Sequence, residues 1–185
     1  MNDKPAATQL LNAQDILTKE LGLAGGMTYA DLGIGSSAHF IFPAANIVGD
    51  DGKVYALDIM KGTLQAAANK ARVEGLLNIE TVWTDLEVYG AAKAVPNESC
   101  DCISMINLLF QTKQDAHVFN EANRILKKGG TCVVVDWKPS GGSFGPPEEV
   151  RTSLDKVREL AKVVGWSESR AFEPGQYHFG VVFSK

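Results

Sequence analysis

Three aspartates stand where short apolar runs give out: Asp31 in TYADLGIGSS, Asp58 in KVYALDI and Asp85 in TVWTDL. A carboxylate accepts hydrogen bonds and donates none. At the end of a strand, Asp58 suits a pair of neighbouring hydroxyls and Asp85 suits an amino group. Gly33 and Gly35 let the backbone turn sharply and come close to a bound molecule. Asp31 places an anion beside that turn, where it repels phosphate and favours a cation. Asp136 closes the run TCVVVD and is a candidate general base, although a loop cap fits it equally well. His39 follows the glycine turn and His178 precedes the last apolar run, so either could approach a substrate. His117 is expected on a helix surface. The histidines show no metal-ligand spacing, and no metal is expected. Ser36 and Ser37 lack the setting of a nucleophile elbow and read as caps or ligand contacts.

The elements that must hold these residues alternate. Leu10 to Leu21 has the pattern of a helix, stopped by Gly22, Gly25 and Gly26. Strands are expected over 28–32, 53–58, 79–84, 101–106 and 131–136, and then near 167–172 and 179–183. Helices are expected over 38–48, with Pro43 delaying the regular part, and over 62–74, 115–126 and 148–164. Gly129-Gly130 is read as the stop of the third of these, and Val150 as part of the inner face of the last. The apolar run 131–136 predicts a central strand covered on both faces. Alternating strands and helices imply right-handed crossovers and a parallel sheet. Between the last two strands stands only Glu173-Pro174-Gly175-Gln176, which can join only antiparallel neighbours. The expected fold is therefore α/β: a doubly wound, mostly parallel seven-stranded sheet with helices on both faces and a C-terminal antiparallel strand.

Composition bounds the function. The chain has 185 residues, 45% of them apolar, which suits one folded domain, expected over 1–185. A formal net charge of −4 gives no strong nucleic-acid signal. The start MNDKPAATQLLNAQ lacks a signal-peptide pattern, and no apolar stretch approaches the roughly 20 residues of a membrane span, so a soluble cytoplasmic protein is expected. Cys100, Cys102 and Cys132 lie in apolar runs without a C-x-x-C and read as buried thiols.

Ligands of such sheets sit outside the carboxyl ends of the strands, where strand order reverses. Two adenosine cofactors fit there. Gly33-Ile34-Gly35-Ser36-Ser37-Ala38 matches G-x-G-x-x-G/A, with Asp58 roughly 20 residues on, as in a dinucleotide site. Asp31 opposes a pyrophosphate at that place and suits the cationic amino end of S-adenosylmethionine. Five segments, ADLGIGSS, KVYALDI, WTDL, DCISMINLLF and LKKGGTCVVVDW, resemble in order and spacing the seven-strand class I S-adenosylmethionine-dependent methyltransferases, nearest to the small quinone-biosynthesis C-methyltransferase type. The resemblance implies S-adenosylmethionine as cofactor. It implies that Asp31 orients the methionine amino group and that Gly33 and Gly35 pass under the methionine. Asp58 would bind the ribose hydroxyls, Ile59 would pack on adenine, and Asp85 would bind the adenine amino group with Leu86 nearby. Asn107 would lie near the methionine end and the methyl group. Ser37 stands where that family often has a third glycine, and Asn107-Leu108-Leu109-Phe110 lacks the double proline of the nucleic-acid amino-methylating enzymes.

The methyl acceptor is not identified by any motif. Residues 1–26 would form an N-terminal helical cap and 138–147 a lid loop hinged at Gly141-Gly142 and Gly145, with Phe144 as its apolar contact. With so little cover, the substrate brings its own surface, or loop ordering or a second subunit (a homodimer) closes the site. Rival readings are a non-catalytic cofactor-binding or scaffold protein on the same fold and, more weakly, an NAD-dependent oxidoreductase.

Overall fold

The fold is a computed structural model that describes residues 11–140 and 144–185. One seven-stranded sheet runs in the order β3-β2-β1-β4-β5-β7-β6. Its strands are β1 Thr28–Leu32, β2 Lys53–Asp58, β3 Ile79–Trp83, β4 Cys100–Ile106, β5 Leu126–Trp137, β6 Ser167–Gly175 and β7 His178–Ser184. The first five pair in parallel. The last strand of the chain, β7, is antiparallel to both β5 and β6 and lies between them. Chain order thus gives an antiparallel C-terminal strand, while space puts it one place in from the sheet edge.

Side chains alternate across the pleat. Tyr29, Val54 and Ala56 face one core with the helices α1 Ala13–Asp15, α2 Ile41–Val48 and α3 Lys61–Glu74. Ala30, Leu32, Tyr55 and Leu57 face the other, with α4 Asp115–Ile125 and α5 Leu154–Val163. Each face is closed by apolar helix stripes, such as Ile41, Ala44, Ala45 and Val48 on one side and Val118, Phe119, Ala122 and Ile125 on the other. No helix among the described residues is long and apolar enough to cross a membrane.

Several boundaries differ from the sequence pattern. The N-terminal segment is not one regular helix. Asn12 caps the short α1 through Asp15 N–H, and Ile16–Glu20 then follows as a π-helical turn. Residues 1–10 of the expected cap lie outside the described residues. Gly129-Gly130 does not stop α4, which ends at Ile125. Leu126 pairs with Cys100 and Thr131 with Cys102, so the glycines form a bulge inside β5. Gly129 has φ +75°, and a Cβ on Gly130 would meet the Asp101 carbonyl oxygen at 3.0 Å. The expected helix over 148–164 begins only at Leu154, where the Ser153 hydroxyl accepts Lys156 N–H. Val150 is in a separate 3₁₀ turn and is exposed rather than inward-facing.

The irregular segment after β3 is held by Glu121 of α4. This carboxylate is fully buried and accepts Gly90 N–H at 2.7 Å and Ala92 N–H at 3.1 Å. Arg124 binds it through two N–H groups at 2.9 and 2.7 Å. Burial pushes the Glu121 carboxyl up, but Arg124 and the two backbone donors outweigh it, and it stays below the ordinary range. Removing one partner of a buried ion pair typically costs about 3–5 kcal/mol. Glu121→Ala is therefore expected to lower the melting temperature by roughly 10 °C. A thermal melt within 2 °C of the wild type would show that the loop carries its own fold.

Candidate functional site

A cavity of about 830 Å³ opens at the carboxyl ends of the parallel strands, beside the point where strand order reverses between β1 and β4. Asp31, Gly33, Gly35, Asp58, Ile59, Asp85, Leu86 and Asn107 all line it, and so do His39 and His178. Asp136 does not.

Each wall follows from local sequence. After β1 the chain turns at Gly33, with φ +79°, where a Cβ would sit 2.8 Å from Leu108 Cδ1. Gly35 N–H then donates to Asp58 Oδ2 at 3.2 Å, while Asp58 Oδ1 accepts Met60 N–H at 2.8 Å. The carboxylate that ends β2 thus ties the glycine turn to the start of α3 and keeps further acceptor sites. Ile59 is exposed on the rim. Asp85 Oδ1 accepts Glu87 N–H at 2.9 Å, which fixes the turn after β3, and Leu86 is buried beneath it. Asn107 has φ +51°, an unusual conformation for a residue with a side chain, and its N–H donates to Val135 O at 2.8 Å.

Buried polar atoms without a partner cluster here. Thr84 Oγ1, Asn107 Oδ1, Trp137 Nε1 and His178 Nε2 have no hydrogen-bond partner among the described residues, and all four residues line the cavity. Such groups are uncommon in folded proteins and ask for a ligand or water. The charge pattern is one-sided: Asp31, Asp58, Asp85 and Glu87 line the cavity, and among the described residues no lysine or arginine does. The Glu87 carboxylate is engaged, accepting Lys113 and Gln114 N–H at the entry to α4. Asp31 is 2% exposed. Burial pushes its carboxyl up to about 7; the Ser104 hydroxyl works against the rise, and the Asp58 charge adds to it.

Asp136 turns out otherwise than as a general base. It is fully buried at the end of β5, and its carboxylate accepts Leu109 N–H at 2.9 Å and Trp137 N–H at 2.8 Å. Burial pushes it up to about 6, opposed by Trp137, Leu109 and Phe110 N–H. With its oxygens used in this way it anchors the loop after β4. His39 Nε2 bonds Leu11 O at 2.8 Å, which ties the N-terminal segment to the glycine turn. His178 is 6% exposed. Burial, helped by Lys138, pulls it down to about 4, so it is neutral at pH 7.

Sequence reading named Phe144 and His178 but missed Trp137 and Tyr177, which complete the aromatic end of the cavity. The Trp137 ring packs at a tilt against His178, 4.2 Å between ring centroids, and against Phe144 at 5.7 Å, and Phe144 lies 4.9 Å from Tyr177. The available signal for Trp137 was its position, directly after Asp136 at the end of the apolar run 131–136. Gly141-Gly142 lie outside the described residues. The described part of the expected lid is pinned by Arg151, which donates to Phe144, Pro146 and Lys138 carbonyls. Gly145 packs against the Trp137 ring, where a Cβ would come within 2.6 Å. The three cysteines are buried and unpaired, and burial pushes the Cys100 and Cys102 thiols up to about 12. Among the described residues no group of three or more His, Cys, Asp or Glu could hold a metal ion.

An acid whose folded pKa is raised loses stability as pH climbs from its ordinary value of 3.8 to about 7. Asp31→Asn removes that loss. Denaturant unfolding should find the variant more stable by on the order of 3 kcal/mol at pH 8, with the gain gone near pH 4. Equal stability at pH 8 would mean that Asp31 is not desolvated as described.

The methyltransferase domain family model matches residues 30–134. A ubiquinone/menaquinone biosynthesis C-methyltransferase, UbiE of Escherichia fergusonii, is 28% identical over 117 residues, 63% of this chain and 45% of that protein, so the chain spans less than half of that relative's length. The crystal structure of a SAM-dependent methyltransferase from Aquifex aeolicus superposes with a TM-score of 0.84 at 30% identity, covering 98% of this chain and 93% of that one. The [4+2]-cyclase SpnF, at 15% identity and a TM-score of 0.74 over 93% of this chain and 79% of its own, shares the fold alone. A fold by itself does not choose a reaction. With more than half of its length inside the family model, and a near full-length likeness at 30% identity, the chain belongs to the methyltransferase domain family, among the S-adenosylmethionine-dependent methyltransferases.

Proposed function

We propose that the cavity binds S-adenosylmethionine across the ends of β1, β2 and β3 and presents its methyl group to an acceptor held against the aromatic end. The carrying observation is electrostatic. A cavity lined by Asp31, Asp58 and Asp85, with no lysine or arginine among the described residues, suits a ligand with an ammonium and a sulfonium and is hostile to a diphosphate. That preference also weighs against the nicotinamide reading.

The residues fit the cofactor by chemistry. Asp58 accepts from the ribose hydroxyls and Asp85 from the adenine amino group, with Ile59 and Leu86 as apolar cover. Asp31 faces the ammonium, and Asn107 Oδ1, buried without a partner, is an acceptor for the same end. When bound, the cofactor supplies a methyl group already made electrophilic by the sulfonium. The protein's share is positioning and exclusion of water. Phe110, Trp137, Phe144 and Tyr177 provide an apolar wall, and neutral His178 offers one donor and one acceptor nitrogen. Among the described residues no strong base stands at the aromatic end, which suits a nucleophile that is already electron-rich or loses its proton readily. Three buried, unpaired thiols agree with a reducing, cytoplasmic setting.

Calorimetric titration with S-adenosylhomocysteine tests this reading. Binding in the micromolar range is expected, at least tenfold weaker in Asp58→Asn and undetectable for NAD. Binding of NAD alone would install the oxidoreductase, and binding of neither would leave a scaffold. Because the bound ammonium favours ionised Asp31, affinity should be flat above pH 7. It should weaken about tenfold per unit below pH 7, with a proton released on binding. Affinity that does not change between pH 5.5 and 8 would remove Asp31 from the site.

A further inference from the structure

Asp31 is desolvated and faces the like charge of Asp58, yet the proposed function needs it ionised near neutral pH. Beneath it lies a chain of hydroxyls that the methyl-transfer chemistry does not use. Ser104 Oγ donates to Asp31 Oδ1 at 2.6 Å, and Tyr29 Oη lies 2.5 Å from Ser104 Oγ. Tyr29 and Ser104 are fully buried. Sheet register brings the three together. Asp31 pairs with Ser104 and Tyr29 with Cys102, so Tyr29 and Asp31, two residues apart on β1, share a face with Ser104 on β4.

Proton counting sets the direction. While Asp31 is ionised, the single Ser104 proton goes to the carboxylate, so Ser104 Oγ must receive from Tyr29. Burial, and then the Asp31 charge, push the Tyr29 phenol well above its ordinary range, so it remains a donor. Asp31 Oδ2 has no hydrogen-bond partner among the described residues and belongs to a cavity-lining side chain. The groups that act on the carboxylate are Asp58 on β2, Ser104 on β4 and Tyr29 on its own strand, while Cys102 on β4 and Cys132 on β5 act on Tyr29. No cation stands among them.

We propose that Ser104 and Tyr29 are positioning residues for cofactor binding: a two-hydroxyl relay that fixes the Asp31 carboxylate in one orientation, favours its charged form, and leaves Oδ2 for the ammonium of the ligand. Hydrogen bonds to a charged form favour that form, and a chain of them polarises each member. The relay rests on the methyltransferase reading for its ligand, but its effect on Asp31 exists in the free protein.

The test has two arms. In the first, the Asp31 carboxyl is titrated by carbon NMR in ligand-free protein. Ser104→Ala should move its midpoint up by about one unit, Tyr29→Phe by a fraction of a unit the same way, and Ser104→Thr should restore it. In the second, S-adenosylhomocysteine is titrated from pH 5.5 to 8.5. Ser104→Ala should shift the pH at which affinity falls by the same amount, about fivefold in Kd at pH 7, with little change at pH 8.5. Tyr29→Phe removes one oxygen and keeps the ring, so it reads the relay even where Ser104→Ala folds poorly. Unchanged Asp31 midpoints in Ser104→Ala and Tyr29→Phe would overturn the relay. Wild-type protein that fails to bind S-adenosylhomocysteine while the NMR midpoints move as stated would overturn the methyltransferase reading and keep the relay.

Discussion

A carboxylate with no cation beside it among the described residues sits almost entirely buried near the end of β1, an inner strand of the sheet. Taking an anion out of water is costly, and a protein ordinarily answers by pairing it or protonating it. Asp31 is half-answered: one oxygen is held by Ser104 and the other is left for the cavity. Much of the architecture serves this arrangement. Parallel strands with helices on both faces bury β1 completely, and the reversal of strand order beside it opens a crevice at its carboxyl end. The register between β1 and β4 then puts a hydroxyl opposite the acid. A slip of one residue would send Ser104 to the other face and leave Asp31 with nothing.

Asp136 makes a useful contrast. It too ends a strand, is buried, and has its carboxyl pushed up by burial. One of its oxygens accepts Leu109 N–H from the loop after β4, the same loop that carries Asn107 and Leu108, and the other accepts Trp137 N–H, next along its own strand. Two aspartates with similar local sequence therefore do opposite things. One completes the backbone bonding of the protein and fixes a wall. The other is kept incomplete. Partner geometry, and not residue type or burial, separates anchor from binding group.

Four of the other unpaired polar atoms among the described residues follow the same logic. Thr84, Asn107, Trp137 and His178 bring theirs to the cavity, while their apolar parts are packed by neighbours. At the aromatic end, Arg151 holds the Phe144 and Pro146 carbonyls, and Gly145 lets that segment lie on the Trp137 indole. The wall is thus built from three distant stretches of chain: the end of β5, the segment after Phe144 and the β6–β7 turn.

The sequence by itself determined the layer order and the end of the sheet where chemistry could occur. Period-two apolar runs ending in Asp31, Asp58 and Asp85 and the Gly33–Gly35 turn are local signals, because side-chain alternation and positive φ are properties of a few consecutive residues. Helix limits were less legible. Gly129-Gly130 looked like a helix stop and is a strand bulge, since only the pairing of Leu126 with Cys100 extends β5 backward. What the tertiary structure alone decided is which polar groups meet. Ser104 reads as an ordinary residue of DCISMI until β4 is laid against β1. Asp136 reads equally as a base or as a loop cap until Leu109 N–H of the loop after β4 folds onto it, and nothing local places Trp137 against His178, which arrives from the start of β7. Those meetings depend on register and crossover between strands separated by tens of residues, which no local pattern encodes.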